Sequence, residues 1–314
     1  MTYCYPWARA TTQTVVPMPP SNMPGAEVAV DVELARALVA AQFPALAELS
    51  ITPVAHGWDN VVFRLGEALS IRLPRRSAGA VLIEHEQRWL PELAARLPLP
   101  VPAPVHVGVP ADGYPWRWSI CPWLDGEPAA LSPPHDLFDA ARRLAAFLQA
   151  LHHPAPADAP DNPVRGVPVA ARHESWVAAL RSLGDDVGTD QILVLWDRAL
   201  AAPVWNRRPV WIHGDLHPAN VLVDGGRLSA VIDFGDIAKG DPASDLASAW
   251  MLLDSSARRV LRELTSYDDA TWVRAHAWAA GLGVVMLANS ADNAVIHTIG
   301  ERALAAALAD LAEP

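Results

Sequence analysis

Two short segments of this 314-residue chain contain the side chains best suited to chemistry. The first, HGDLHPANVL (His213–Leu222), holds a carboxylate at Asp215 and an amide at Asn220, and the second, IDFGD, holds a carboxylate at Asp233. Transfer of a γ-phosphoryl group requires a carboxylate near the acceptor hydroxyl and oxygen ligands for magnesium. We therefore predict that Asp215 is the base and that Asn220 and Asp233 hold the metal.

The sequence between these segments predicts how they come together. VLVDGGRLSAVIDF has two apolar runs on either side of a turn signal at Asp224–Gly226, which is typical of a β-hairpin. The hairpin would return Asn220 and Asp233 to one end of the ribbon. Gly235 follows Asp233 closely and allows the backbone to turn there.

Two histidines flank the candidate base, and both are candidate catalytic residues. His213 braces the loop or contacts the substrate, and His217 approaches the phosphates or orients the loop. A second enzyme class also fits the spacing, because His213, Asp215 and His217 could ligate zinc in a metal-dependent hydrolase. That alternative leaves Asn220 and the IDFGD segment unexplained.

These segments carry a family resemblance. His213, Asp215 and Asn220 follow the H-R-D-x-x-x-x-N spacing of protein kinases, with Gly214 in place of the arginine. With VIDFGDIAKGDPASDLA, they resemble the catalytic and metal-binding loops of the aminoglycoside phosphotransferase family. This family is a branch of the protein-kinase-like superfamily that phosphorylates hydroxyl groups of small molecules. The resemblance runs from about residue 51 to beyond residue 278.

The resemblance implies a fold and an activity. We expect an α+β, two-lobed protein-kinase-like fold, with a small antiparallel-sheet N-terminal lobe and a larger, mostly helical C-terminal lobe. The implied reaction uses ATP or GTP with magnesium, and the first candidate acceptor is an aminoglycoside-type antibiotic, as in antibiotic resistance. A metabolite such as an amino alcohol, homoserine or a sugar is the alternative acceptor. Asp245, in DPASDLA, is implied to brace the catalytic loop.

Residues upstream of the catalytic loop are predicted to bind the nucleotide. The turn from Gly57 to Asn60 would cover it, with one glycine where protein kinases have three. Arg72 stands where the kinase strand carries a phosphate-pairing lysine, and the resemblance implies that it takes this role. Helical spacing in VLIEHEQRWLPELAARL places Glu86 on the apolar face, so Glu86 is expected to pair with Arg72, with Glu84 as the alternative. The arginine and the glycine-poor turn also leave open a nucleotide-binding pseudokinase.

A hinge between the lobes is predicted where the apolar strand WSICPWL ends at Pro122. Backbone groups of Ile120, Cys121 and Trp123 are expected to pair with the adenine. The Trp123 ring either stacks on the base or packs the hinge, and packing is the simpler interpretation.

Composition limits the classes of partner. The net charge of −11 and the pI near 5.4 argue against nucleic acid and anionic membranes, and they are compatible with a cationic substrate. Two cysteines predict neither a disulfide framework nor a zinc site. The longest apolar run, Ala277–Ala288, is too short to span a membrane, and the N-terminus does not resemble a signal peptide. We expect a cytoplasmic monomer or homodimer.

The chain is expected to divide into a flexible tail (1–27), a nucleotide-binding lobe (28–121) and a catalytic and substrate lobe (122–314). Asp31 is a plausible N-cap for a helix that continues to Ala47. Residues 155–169 are predicted to form a surface loop before helices that begin near His173, and the last third is predicted to be helical. Candidate acceptor contacts are polar residues that a solvated helix face explains equally well, namely Asp236, Asp292, Asn293 and Glu301.

Overall fold

The computed structural model describes residues 23–111, 113–184 and 187–312. Most of the predicted N-terminal tail, residues 1–22, therefore lies outside the described residues. Between residues 23 and 122 the described chain forms two α-helices and an antiparallel sheet of order β1-β2-β3-β5-β4. The elements are α1 (Val32–Gln42), β1 (Ile51–His56), β2 (Asn60–Leu65), β3 (Leu69–Pro74), α2 (Ser77–Ala94), β4 (His106–Gly108) and β5 (Trp118–Pro122).

Alternation of buried and more exposed side chains positions the sheet. Along β2, Val61, Phe63 and Leu65 are almost fully buried, whereas the intervening Val62 and Arg64 are partly exposed. Because the buried side chains recur with a period of two, they lie on one face of the sheet. That face packs with α1 in a shared apolar core. The antiparallel N-terminal sheet that the sequence predicts is therefore confirmed.

Helix α1 begins as predicted and ends earlier than predicted. The Asp31 side chain accepts a hydrogen bond from the Leu34 backbone N–H at 2.8 Å, which satisfies one of the open donors of the first turn. The α-helix stops at Gln42, and a single 3₁₀ turn occupies Pro44–Leu46. Pro44 has no N–H for the helical ladder, so the predicted continuation to Ala47 is wrong.

The rest of the chain is mostly helical, which confirms the α+β, two-lobed fold class. In the described part of this region, two small sheets of two and three strands lie among the helices and flank the catalytic loop. The strands are β6 (Glu127–Pro128), β7 (Val210–Ile212), β8 (Val221–Asp224), β9 (Arg227–Val231) and β10 (Ala238–Gly240). The helices are α3 (Leu137–Leu151), α4 (Val169–Ser182), α5 (Thr189–Ala201), α6 (Ala243–Leu246), α7 (Ser248–Leu252), α8 (Ser255–Leu264), α9 (Asp269–Asn289) and α10 (Ala294–Ala312).

Helix α9 is the centre of the helical region and contains the long apolar run. Trp278, on α9, packs edge-on against Trp176 with 5.0 Å between ring centroids, and Trp176 lies 5.7 Å from Trp196. All three indoles are fully buried, so the run is a core helix, as predicted. Among the described residues, no helix is long and apolar enough to cross a membrane.

The hairpin β8–β9 is formed as predicted. Gly225 and Gly226 have φ values of 55° and 79°, which suits a two-residue type I′ turn that other residues rarely adopt. Below the strands, the Ile232 N–H donates to the Asn220 carbonyl at 2.9 Å. Asn220 and Asp233 are thereby brought to the same end of the ribbon.

The segment between α3 and α4, residues 152–168, is a loop whose residues are mostly exposed or half-buried, as predicted for a surface loop. We call it the α3–α4 loop. Arg165 and Ala159 are exceptions and are each 3% exposed, where the loop packs against the strand pair β7 and β10. Helix α4 begins at Val169 rather than near His173. The lobe boundaries after residues 27 and 121 stay predictions; β5 ends at Pro122.

Candidate active site

The catalytic loop joins β7 to β8 and makes a close turn at its second residue. Gly214 has a φ of 86°, and a Cβ atom at this position would lie 2.5 Å from the Asp236 carbonyl oxygen. Only glycine fits this backbone without displacing the chain. The contact explains why glycine, and not the arginine of protein kinases, precedes Asp215.

Asp245 braces the start of the catalytic loop, as the resemblance implies. Its carboxylate accepts hydrogen bonds from the backbone N–H groups of His213, at 2.7 Å, and Gly214, at 2.9 Å. The His152 ring donates to the same carboxylate at 3.1 Å. Burial alone would raise the pKa of Asp245, but the bond and charge of His152 and the contacts with His213 outweigh it and lower that pKa.

His213 is part of this brace, and its assignment among the catalytic residues needs correction. The ring is fully buried, and Nε2 donates to the Ile232 carbonyl at 2.9 Å. Nδ1 accepts the backbone N–H of Asp215 at 3.2 Å. Because both ring nitrogens are engaged, His213 has no lone pair for zinc and no atom directed at a substrate. The zinc hydrolase alternative thereby loses a ligand.

Asp215 is the buried carboxylate at the centre of the site, with 5% of its surface exposed. Oδ1 accepts a hydrogen bond from Arg165 at 3.0 Å, and Oδ2 lies 3.4 Å from Nε2 of His217. Burial by itself would raise the pKa of Asp215. The His217 ring beside Oδ2, together with the Arg165 charge, reverses that effect and holds the pKa below its usual range.

His217 connects the candidate base with the candidate metal ligands. It is 1% exposed, and its Nδ1 accepts the backbone N–H of Ala219 at 3.2 Å. Nε2 of His217 lies 3.4 Å from the side-chain nitrogen of Asn220. The same atom lies 3.4 Å from Oδ2 of Asp215. This position favours orientation of the loop over direct approach to a phosphate.

Asn220 and Asp233 present oxygen atoms that fit a magnesium ion. The Asn220 amide nitrogen donates to the Asp215 carbonyl at 2.9 Å, so its oxygen Oδ1 must point the other way. That oxygen is buried and has no hydrogen-bond partner among the described residues. Asp233 has a φ of 62° and is the one non-glycine residue with positive φ in the described part of the chain. Such strain is typical of functional positions.

The predicted ion pair on the nucleotide side is confirmed. Arg72, on β3, binds Glu86, on α2, with both guanidinium nitrogens, and Nη2 lies 2.9 Å from Oε1. Glu86 is fully buried, whereas Glu84 is exposed, so Glu86 is the partner. Burial raises the pKa of Glu86 to about 7, with the Arg72 charge opposing this shift and nearby Asp233 adding to it. Nη2 of Arg72 also lies 3.8 Å from Oδ1 of Asp233.

A cavity lies next to this ion pair, at the end of the predicted hinge. Its walls include Arg72 and Asp233 together with the apolar residues Val62, Pro122, Trp123, Leu124 and Ile232. Residues 122–124 form its hinge wall. Ile120 and Cys121 are not among its lining residues; they lie within β5, and the Ile120 carbonyl accepts the Val105 N–H at 2.8 Å. Their pairing with a nucleotide stays a prediction.

Trp123 and the turn after β1 complete the nucleotide side. The Arg64 guanidinium lies over the Trp123 ring, 4.2 Å from its centroid, so the ring packs the hinge on one face. Gly57 donates its N–H to the Asn60 carbonyl at 2.8 Å and closes the turn between β1 and β2. Neither Gly57 nor Asn60 lines the cavity, and their contact with a nucleotide stays a prediction.

Two residues of the α3–α4 loop reach the site although the sequence gives no sign of it. Arg165 contacts Asp215, and the Asn162 amide donates to Oδ1 of Asp236 at 2.8 Å. Both lie in a stretch rich in proline and aspartate that has neither helical nor strand periodicity. Only the path of the folded chain reveals these contacts.

The chain is similar to known proteins in sequence and in fold. A sequence model of the phosphotransferase enzyme family (APH) matches residues 50–279. No curated protein sequence matches the chain. The family match includes the catalytic loop, the DFG segment and the ion pair on the nucleotide side.

Several solved structures are similar over most of the chain. The GDP complex of aminoglycoside 2'-phosphotransferase-IIIa has a TM-score of 0.68 and 21% identity, covering 90% of this chain and 99% of that one. Macrolide 2'-phosphotransferase MphH from Brachybacterium faecium has a TM-score of 0.58 and 22% identity, with coverage of 87% and 98%. The ternary complex of APH(2")-IIa with streptomycin and ATP has a TM-score of 0.57 and 20% identity, with coverage of 87% and 95%. At these identities the likeness shows a shared fold.

Proposed function

Because the chain belongs to the phosphotransferase enzyme family, it transfers a phosphoryl group to a small-molecule alcohol, and we propose an aminoglycoside-type antibiotic as acceptor. The proposed donor is ATP or GTP with magnesium. Similar folds are known as complexes with GDP, with kanamycin and GDP, and with streptomycin and ATP. The acidic net charge of −11 is compatible with a polycationic acceptor.

The arrangement of Asp215, Asn220 and Asp233 carries the proposal. Asp215 accepts the proton of the acceptor hydroxyl as the oxygen attacks the γ-phosphorus, and the bond from that phosphorus to the β,γ-bridging oxygen breaks to release the nucleoside diphosphate. Oδ1 of Asn220 and the Asp233 carboxylate would hold magnesium, which would supply positive charge next to the phosphate oxygens. The buried, unpartnered amide oxygen of Asn220 supports this role, because a buried polar atom without a partner is costly unless a ligand satisfies it.

The nucleotide occupies the cavity between the hinge wall and the ion pair. Arg72 contacts the phosphates, and Glu86 holds the guanidinium in place. The apolar side chains of residues 122–124 pack against the base. The turn from Gly57 to Asn60 covers the phosphates from above.

Phosphoryl transfer to the acceptor can be tested with a coupled assay of ADP or GDP release. We expect turnover with at least one of kanamycin, streptomycin or gentamicin, each assayed with ATP and with GTP. Macrolides and amino alcohols serve as comparison acceptors. Turnover confined to an amino alcohol, homoserine or a sugar would replace the antibiotic by a metabolite, and nucleotide binding without any turnover would favour a pseudokinase.

Two variants separate the proposed roles. Asp215→Asn should abolish turnover and leave nucleotide binding nearly intact, because the base touches the acceptor and not the donor. Asp233→Ala should weaken binding of the magnesium–nucleotide complex. Full activity in Asp215→Asn would remove Asp215 from the role of base.

A further inference from the structure

We propose that Arg165 is a positioning residue for the candidate base. It holds Asp215 through Oδ1 and thereby directs Oδ2 toward the acceptor hydroxyl. The inference rests on the proposed function, since it requires Asp215 to be the base. Nη2 of Arg165 lies 3.0 Å from Oδ1, and the two side chains are 3% and 5% exposed.

The two oxygens of Asp215 have different surroundings. Oδ1 accepts the charge-assisted hydrogen bond from Arg165, and such bonds are short and directional. Oδ2 has no hydrogen-bond partner among the described residues, and Nε2 of His217 lies 3.4 Å away. A hydrogen bond at one carboxylate oxygen restricts rotation about the Cβ–Cγ bond. The Arg165 contact therefore sets the direction in which Oδ2 can accept a proton.

The backbone beside Arg165 is held firmly enough for this task. Gly166 has a φ of 62°, and its carbonyl accepts the Asp241 N–H at 2.8 Å. A Cβ atom on Gly166 would lie 2.5 Å from Cδ1 of Ile212, the residue that precedes the catalytic loop. The α3–α4 loop is thus clamped against β7 and β10, and the backbone that carries the Arg165 side chain is held in place.

The positive charge of Arg165 reduces the proton affinity of the Asp215 carboxylate. The benefit of the contact is therefore the orientation of that carboxylate. A cation in contact with a carboxylate stabilises its charged form, so it makes the carboxylate a weaker proton acceptor. An arginine at this position does not activate the base. What it provides is a defined orientation, and misplacing a reacting group by about 1 Å can reduce a rate by about 100-fold.

The test compares Arg165→Ala and Arg165→Lys with the control Arg172→Ala. Arg172 lies on α4, near enough to Arg165 for the two charges to repel, but no hydrogen bond joins it to Asp215. The acceptor is kanamycin, or water in an ATP hydrolysis assay if kanamycin is not turned over. We expect Arg165→Ala to lower kcat by about 100-fold with an unchanged KM for ATP. Added guanidinium should restore part of the lost kcat, and Arg172→Ala should behave as wild type.

Each outcome separates the inference from the proposed function. Wild-type kcat in Arg165→Ala, with Asp215→Asn inactive, overturns the positioning role alone. Full activity in Asp215→Asn instead overturns the part of the proposed function that makes Asp215 the base. A loss that guanidinium does not restore, or an equal loss in Arg172→Ala, means that the ion pair is merely structural. If Arg165→Ala does not fold, Arg165→Lys decides: its shorter ammonium should lower kcat without changing the KM for ATP, and wild-type kcat overturns the proposal.

Discussion

Replacing Asp245 with alanine removes the acceptor of two buried backbone N–H groups, those of His213 and Gly214. Each buried donor left without a partner costs about 1–3 kcal/mol, so the free energy of unfolding should fall by about 4 kcal/mol. At about 2–4 °C per kcal/mol for a domain approaching this size, Tm should fall by about 10 °C. Asp245→Asn keeps one acceptor oxygen and should lose about half as much.

The assay is thermal unfolding followed by circular dichroism, together with kcat at a temperature where every variant is folded. Asp254→Asn is the matched control, because Asp254 caps α8 from an exposed position and asparagine caps equally well. The expected order of Tm is wild type, Asp245→Asn, then Asp245→Ala. A wild-type Tm in Asp245→Ala would refute the reasoning, since two unsatisfied buried donors cannot be without cost.

The same carboxylate predicts a dependence of stability on pH. The pKa of Asp245 lies below its ordinary value of 3.8 in the folded protein, because the contacts with His152 and His213 outweigh burial. A lowered folded pKa gives stabilisation that is fully present above the unfolded pKa and is lost as pH falls through the folded pKa. Below about pH 4, wild type should therefore lose stability more steeply than Asp245→Asn. If the free energy of unfolding of wild type and of Asp245→Asn fell equally with decreasing pH, this prediction would be contradicted.

Three further predictions concern other parts of the site and its supports. Glu86→Gln should lower kcat/KM for ATP by roughly 10- to 100-fold, since hydrogen bonds to charged groups contribute about 1.5–3 kcal/mol; Glu84→Gln is the exposed control, and equal effects of the two would contradict the role of the buried pair. Gly226→Ala should destabilise more than Gly225→Ala in urea unfolding, because a Cβ at Gly226 would lie 2.2 Å from Nδ1 of His135 whereas nothing lies within 4 Å at Gly225. Magnesium–ATP at about 100 times its Kd should stabilise the protein by about 2.7 kcal/mol, and a chelator should remove most of that gain in a thermal shift assay; an unchanged shift would argue against a metal ligand at Asp233.

Local rules were sufficient where a feature depends on neighbours in sequence. The β8–β9 hairpin follows from two adjacent glycines between apolar runs, because the turn type is set by those residues alone. In the Arg72–Glu86 pair, helical spacing turns Glu86 inward, and the family resemblance implies the position of Arg72. Each element then needs only to pack against the other. The α+β, two-lobed arrangement was predictable from the motifs and the resemblance they carry.

Local rules failed where a residue is placed by the path of the folded chain. Arg165 is in a loop without periodicity, and its contact with Asp215 depends on how that loop crosses β7 and β10. The ladder partners of Ile120 and Cys121 likewise depend on the register of β3 with β5, which their own sequence does not specify. His213 has the chemistry of a catalyst, and only its two occupied nitrogens show that it is a brace.

The clamped α3–α4 loop has a consequence for engineering this scaffold. The loop carries Asn162, which binds Asp236, and also Arg165, which binds Asp215. A library that randomises or transplants the loop to change acceptor range would alter the orientation of the catalytic carboxylate in the same clones. The same substitutions would then both change acceptor selectivity and lower turnover. Holding Arg165 and Gly166 constant while varying residues 155–162 is the library design that uncouples them.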